Sequence, residues 1–338
     1  MSAPAEQDPR AATATLLSAD ALQRALDARA DLNRDHASEL STCYRLFHGA
    51  VEGRPGLTLD RYGPVLLAQT WNAALHPEEL AVIEASAGDL RVVYNHRDRP
   101  VDFDAHFPVE PFEAVGTELG MTYDVRPRHR GQDPLLFLDF RAARRRVRLE
   151  SRGKSVLNLF AYTCTMGQVA HTAGADYVLN IDFASSALDV GRANVARNDP
   201  GPGTLEFFQS DCLPAIWQLA GKSLPRRRGR APYLAPHRFD IVVLDPPRFA
   251  KSRFGTVDVV GDYPTLLKPC LQIAAPGGVV LATNHVPQVS LDEWLEVVRR
   301  TAAKVEREIR SLEVITPEAD FPSFDGSHPL KMAWIQLD

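Results

Sequence analysis

The stretch Phe239–Phe249, FDIVVLDPPRF, decides how this chain reads. Ile241 to Leu244 is a short apolar run rich in β-branched residues, and it stops at an acid followed by two prolines. That pattern predicts a buried parallel strand ending in a rigid turn. In open α/β sheets ligands sit just beyond the carboxyl ends of the strands, which places Asp245, Pro246, Pro247, Arg248 and Phe249 at a site. Prolines donate no backbone hydrogen bond and fix φ, so their carbonyls and the Asp245 carboxylate make a stiff acceptor fork. Such a fork suits a flat amino or ring N–H donor, and Phe249 offers a face for a planar ring. The chemistry implied is work on a nitrogen of a heteroaromatic ring. The plainer alternative is a strand-to-loop turn in which Asp245 caps a neighbour and Phe249 is core.

Working outward, 338 residues allow two domains, and 45% hydrophobic with 24% charged residues is a globular composition. No stretch is apolar for long enough to span a membrane. The start, MSAPAEQDPR, has neither a basic nor an apolar signal region. Cys43, Cys164, Cys212 and Cys270 are widely spaced and form no metal-binding pattern, so we expect reduced thiols, no metal and a cytoplasmic location. A net charge of −5 argues against a chain coated in nucleic-acid-binding charge but leaves room for a local basic face. Arg141, Arg144, Arg145 and Arg148 recur at helical spacing, and Arg226, Arg227, Arg228 and Arg230 crowd together. Both groups are candidates to face phosphate, against the alternative of a solvated charged surface.

In chain order, residues 1–40 read as a helical or extended segment, with 1–15 frayed and Ser18 an N-cap. Residues 41–130 read as a small α+β domain, with strands at 57–59, 65–70, 91–94 and 121–125 and a helix at 77–85. Pro127, Gly131 and Pro134 mark a linker, and a second domain, 135–338, alternates strand and helix as parallel sheets do. Its strands are predicted at 156–159, 177–181, 205–208, 241–244 and 279–283, with helices at 185–198 and 292–303. Residues 312–315 and 333–337 are expected to pair as antiparallel edge strands. Lys222 to His237, basic and proline-rich, reads as an inserted loop.

If Asp245 closes one strand, a cofactor should span the ends of its neighbours. After the first strand, the run from Asn158 through Phe160, Tyr162 and Thr163 turns into a helix whose N–H groups can hold a carboxylate. Asp182, followed by Phe183, ends the second strand, where an acid would accept both hydroxyls of a ribose. Asp211, followed by Cys212, comes after the third and is placed to accept from an adenine amino group. Each acid alone reads equally well as a helix N-cap. Three of them at three successive strand ends favour a nucleoside-containing cofactor, and the lack of a phosphate-cradling glycine loop favours S-adenosylmethionine over a dinucleotide.

Taken together, YRLFHGAVEGRPGLTLDRYG (44–63), FLDFRAARR (137–145), NLFAYTC (158–164), IDFASSALDVGRANVARN (181–198), QSDCLPAIW (209–217) and DPPRF (245–249) resemble the bacterial large-subunit ribosomal RNA methyltransferases of the class I, S-adenosylmethionine-dependent type. The resemblance runs from about Tyr44 to the C-terminus and is nearer to the 23S guanine-N7 enzyme than to the cytosine-C5 enzyme. It implies a Rossmann-like, mostly parallel seven-stranded sheet behind a small N-terminal α+β domain. It further implies a cofactor loop at Phe160, Tyr162 and Thr163, a ribose-binding acid at Asp182, an adenine-side acid at Asp211, and a catalytic fork at Asp245, Pro246 and Pro247 with Phe249. The partner implied is RNA, with 23S ribosomal RNA favoured.

Two departures from the family pattern bear on chemistry. Cys164 stands where the family usually has glycine, next to the cofactor loop. Methylation at cytosine C5 needs a cysteine to add to the ring. The cytosine-C5 relatives carry it after the fifth strand, where this chain has Thr283, Asn284 and His285. The expectation is therefore transfer to nitrogen, with Arg248, His285, Arg144, Arg145 and Arg148 contacting substrate. The N-terminal RNA-binding module of the cytosine-C5 relatives is not expected here, so RNA capture falls to the small domain and the arginine clusters. Competing readings are a methyltransferase of a protein amide or small heteroaromatic metabolite, and a non-catalytic RNA-binding assembly factor.

Overall fold

A computed structural model describes residues 16–97, 114–126, 134–222, 233–252 and 255–338. The expectations for residues 1–15, Pro127, Gly131 and the Arg226–Arg230 cluster lie outside the described residues. Two compact units form: one takes in Met1–Gly120, Val125–Leu138 and Ala319–Phe324, the other Met121–Asp124, Asp139–Glu318 and Asp325–Asp338.

In the first unit, helices α1 (Ala19–Ala28) and α2 (Ala30–Ser38) precede a four-stranded sheet. Ser18 caps α1 by accepting from Ala21 N. Leu17, Leu22 and Ala25 then enter the same core as Phe47, Leu57 and Leu59, so the segment read as a separate N-terminal piece belongs to this unit. The sheet runs β1 (Cys43–His48), β2 (Leu57–Tyr62), β3 (Val65–Thr70) and β4 (Arg91–His96), the last pair parallel and the others antiparallel. Gly63 and Pro64 make the two-residue turn between β2 and β3; Gly63 has φ +58°, and a Cβ there would lie 2.1 Å from the Val115 carbonyl oxygen. Between β1 and β2 lies a single turn, α3 (Gly49–Glu52). Helix α4 (Pro77–Ser86) starts at a capping box in which Glu79 Oε2 accepts His76 N at 2.8 Å. Strand β5 (Ala114–Glu118) follows in this unit.

The second unit takes in Met121–Asp124 of β6 (Met121–Val125) and then α5 (Arg141–Glu150), β7 (Ser155–Leu159), α6 (Thr165–Thr172), β8 (Tyr177–Asp182), α7 (Ser185–Ala196), β9 (Thr204–Gln209), α8 (Cys212–Leu219) and β10 (Phe239–Leu244). A hairpin, β11 (Phe249–Ser252) and β12 (Gly255–Asp258), leads to α9 (Tyr263–Ile273), β13 (Ala274–Asn284), α10 (Leu291–Lys304), β14 (Ile309–Ile315) and β15 (Lys331–Leu337). Seven strands order as β14-β15-β13-β10-β7-β8-β9. Those from β13 to β9 are parallel, and β15 and β14 are antiparallel to their neighbours. This is the mostly parallel, Rossmann-like α/β fold.

The apolar run of β10 is continuous because helices cover both faces of the sheet. Val242 and Leu244 join the core beneath α8, α9 and α10, with Leu266, Leu267 and Trp294. Ile241 and Val243 join the opposite core with Ala143, Val147 and Met166 of α5 and α6. The same burial corrects one expectation: β15 is not an edge strand. Ala333, Ile335 and Leu337 lie in one core and Met332 and Trp334 in the other, so β15 sits between β13 and β14. The connections from β7 run one way through β8 and β9, and those from β10 run the other way, so the strand order reverses between β7 and β10. A crevice at such a reversal is where this architecture binds ligands.

Candidate active site

Asp245 is the first residue beyond β10. Leu244 pairs with Ala282 of β13, so the next residues along, Asp245 and Thr283, come out side by side. Thr283 Oγ1 donates to Asp245 Oδ1, and His285 Nε2 lies 2.6 Å from the same oxygen. Oδ2 of Asp245 has no partner among the described residues. The Thr283 carbonyl is itself fixed by the buried hydroxyl of Tyr263, which donates at 2.9 Å. Burial alone would raise the Asp245 carboxyl. The charge and hydrogen bond of His285, the Thr283 hydroxyl and the charge of Arg144 outweigh it and hold that carboxyl below the ordinary range. For His285, burial pulls downward, and the Asp245 carboxylate more than reverses this and raises the imidazole above its usual value.

Pro246 is buried, whereas Pro247 and Arg248 are exposed. Phe249 is 47% exposed, and the Arg248 guanidinium lies 5.0 Å from its ring centroid. An open aromatic face beside an acceptor fork can stack and orient a planar ring.

Across the reversal, the loop after β7 is wound tightly. Phe160, Tyr162 and Cys164 all have left-handed backbones, with φ of 55°, 48° and 61°. Three non-glycine residues in that region within five positions are costly, and the surroundings hold them there. Asp182 Oδ2 accepts Tyr162 N at 2.8 Å and its Oδ1 accepts Ala184 N at 2.9 Å. Ala161 N donates to the Ile181 carbonyl, and Phe160 N to Cys212 Sγ at 3.2 Å. Burial raises the Asp182 carboxyl, and the backbone N–H groups of Ala184, Tyr162 and Phe183 only partly offset this. The Cys164 thiol is fully buried with Ala161 and Leu188, and the bare Gly191 makes its room: a Cβ there would lie 2.9 Å from Cys164 Sγ. The side chain that replaces the family's glycine is thus accommodated inward, in the core.

Asp211 caps α8 through Oδ1, which accepts Leu213 N at 3.1 Å. Its Oδ2 is buried and has no hydrogen-bond partner among the described residues. An orphaned buried acceptor is a standing invitation to a donor from outside the chain. Phe183 is 70% exposed beside Asp182.

Not every expected residue faces an opening. The side chain of Asn158 is buried and donates to Asn180 Oδ1 at 2.9 Å, and Gly167 packs so closely that a Cβ would lie 2.1 Å from that oxygen. Cys212 supports the loop from within, its thiol reaching the Ile181 carbonyl. On α5 the expectation of a solvent-facing arginine row is corrected: Arg141 and Arg144 are buried, and Arg141 and Arg145 pair with Glu318 at 2.9 and 3.0 Å. A helix that covers a sheet face turns part of its surface inward, and here Glu318 neutralises arginines on that side. Arg148 is exposed. The sequence reading did not assign Thr283 or Tyr263; the strand register beside Asp245 was the signal that would have found Thr283.

A family model described as S-adenosylmethionine-dependent methyltransferase matches residues 45–335. The chain belongs to that family. This methyltransferase is 28% identical over 295 residues to the "Ribosomal RNA large subunit methyltransferase I" of Aeromonas salmonicida, covering 83% of this chain and 70% of that one. It is 29% identical over 309 residues to the "Ribosomal RNA large subunit methyltransferase" of Deinococcus radiodurans, covering 87% and 72%. Its fold is that of the crystal structure of SMU.776 complexed with SAH, with a TM-score of 0.77 at 20% identity, covering 95% of this chain and 82% of that one. The cofactor of the methyltransferase is S-adenosylmethionine. Among the described residues no helix is long and apolar enough to cross a membrane, and no group of three or more His, Cys, Asp or Glu is placed to hold a metal ion.

Proposed function

We propose that the chain methylates a nitrogen of an RNA base, with guanine of large-subunit ribosomal RNA the favoured target. The observation that carries the reading is the Asp245 fork beside Thr283, Asn284 and His285, with all four cysteines buried, so no thiol stands ready to add to a pyrimidine ring. The names of the relatives support RNA as substrate.

In this reading the bound cofactor supplies an electrophilic methyl group on a positive sulfonium. Asp182 accepts from the ribose hydroxyls, Asp211 Oδ2 accepts from the adenine amino group, and Phe183 lies against the adenine. The wound backbone from Phe160 to Thr163 approaches the methionine part, with Asn158 and Cys212 bracing it from behind. On the substrate side the base stacks on Phe249, while Asp245 Oδ2 and the Pro246 carbonyl orient the nitrogen, and Pro247 keeps the fork stiff. In this reading the exposed Arg248 and Arg148 and the half-buried Arg145 meet phosphate, and Arg144 acts through its charge on Asp245. A paired base would first have to leave its helix. Catalysis by such a site rests on positioning and electrostatics.

The test is nucleoside mass spectrometry of ribosomal RNA from cells lacking the gene, fractionated by subunit and complemented with wild type or Asp245→Ala. The expected result is loss of one methylated guanosine from the large-subunit fraction, restored by wild type alone, while purified Asp245→Ala still binds S-adenosylmethionine. An unchanged nucleoside profile would move the acceptor to a protein amide or a small metabolite. A lost 5-methylcytidine would overturn transfer to nitrogen.

A further inference from the structure

We infer that His285 is the positioning residue of the transfer site: through Nε2 it holds the Asp245 carboxylate with one oxygen occupied and the other left for substrate, and the charge on its ring sets how much of the Asp245 charge reaches the reacting nitrogen. The inference rests on the reading that a nitrogen is methylated beside Asp245.

The geometry leaves few alternatives for this pair. Asp245 Oδ1 takes both the Thr283 hydroxyl and His285 Nε2, so a carboxylate there obliges Nε2 to carry a proton. Neither Asp245 Oδ2 nor His285 Nδ1 has a partner among the described residues, and the two side chains are 24% and 41% exposed. One free acceptor and one titratable nitrogen therefore stand together at the mouth of the fork. When the imidazolium loses its proton it loses the one on Nδ1, so the Nε2–H bond to Asp245 survives while the positive charge disappears.

That charge matters to the reaction. The nitrogen lone pair forms the new N–C bond as the C–S bond of the sulfonium breaks and its electron pair stays on sulfur. The nitrogen becomes positive, and where it carried a proton, that proton leaves to solvent. A bare carboxylate beside it stabilises the growing charge, and an imidazolium paired to the same carboxylate cancels part of the effect. Among the described residues, the charged groups that act on the pair are Asp139 and Lys331 on His285 and Arg144 on Asp245. Asp139 and Asp245 favour the imidazolium, Lys331 opposes it, and the carboxylates prevail. The ring therefore stays charged at a pH where a free histidine is already neutral. Transfer should speed up as pH rises through that raised transition.

The experiment is single-turnover transfer from tritiated S-adenosylmethionine to deproteinised large-subunit ribosomal RNA from cells lacking the gene, measured across pH. The wild-type rate is expected to rise about tenfold through a transition above the ordinary histidine value. His285→Gln keeps an N–H on Asp245 and cannot charge, so its profile should be flat, at a level several-fold below the wild-type maximum. His285→Ala should lose about 100-fold in rate at every pH, with the KM for cofactor little changed. A Gln variant whose profile follows wild type, or an Ala variant as fast as wild type, overturns the inference. Should wild type methylate no RNA at any pH, the proposed function fails, and NMR titration of the His285 ring still decides the pair. A raised midpoint that falls in Asp245→Asn supports it, and a midpoint indifferent to Asp245→Asn overturns it.

Discussion

Cys164 departs from the family's glycine with a side chain that turns into the core. Its backbone is left-handed, where a side chain costs about 1–2 kcal/mol relative to glycine. Its thiol, however, fills core space that Gly191 leaves open, and deleting a small buried group costs about as much again through the cavity it leaves. The two terms oppose each other. Cys164→Gly should therefore alter stability by no more than about 1 kcal/mol, read from urea unfolding, and leave S-adenosylmethionine affinity by calorimetry within about threefold. A large gain in affinity would mean the thiol obstructs the cofactor. The places of Asp182 at the end of β8 and of Asp211 just after β9 were legible at this scale because an apolar run that stops at an acid is a positional signal. Arg144 was not, because helical spacing shows that arginines share a face but not which way the face points. Its fate depended on a sheet that the local pattern does not describe.

At the scale of the element, α4 illustrates a helix start built from long-range partners. Glu79 is fully buried and accepts from His76 N, from Leu17 N and from Arg54 Nε, the last at 2.6 Å. Arg54, also buried, would be left as an unpaired charge if Glu79 were removed. Glu79→Ala should cost ~3–5 kcal/mol by denaturant unfolding near neutral pH. Burial alone would raise the Glu79 carboxyl, but Arg54 and the two backbone donors hold it below the ordinary value. Its contribution is therefore complete above the unfolded-state pKa and disappears as pH falls through the lowered folded one. The gap between wild type and Glu79→Ala should close under acid; a gap constant with pH would remove the ion pair from the account. Strands such as β10 were readable because burial on both faces leaves an unbroken apolar run. The rank of β15 was misread for an instructive reason: antiparallel pairing with β14 was visible in the spacing, whereas its second neighbour, β13, is distant in sequence.

For the molecule as a whole, a net charge of −5 means that any capture of RNA depends on a local cationic surface and not on overall attraction. The burial of Arg141 and Arg144 narrows the basic face expected on α5. Binding of large-subunit ribosomal RNA fragments should still weaken steeply as salt rises, because several phosphates must shed their counterions. Filter binding at a series of salt concentrations reads the slope, and a flat, weak response would favour a protein or metabolite acceptor. The borders of the two compact units do not follow the sequence's composition. Leu22 and Ala25, and the short return of Ala319–Phe324, belong to the first unit through contacts that no composition shift announces. The place of β15 also governs the order in which this sheet can be assembled. During synthesis β13 and β14 emerge before the strand that will lie between them exists. Until residues 331–337 follow, β13 has one open edge and the core that holds Trp294 lacks Ala333, Ile335 and Leu337, so that side of the sheet has to wait as an unfinished surface. A nascent chain stalled just short of Lys331 would present that edge to chaperones, or to another stalled copy of itself.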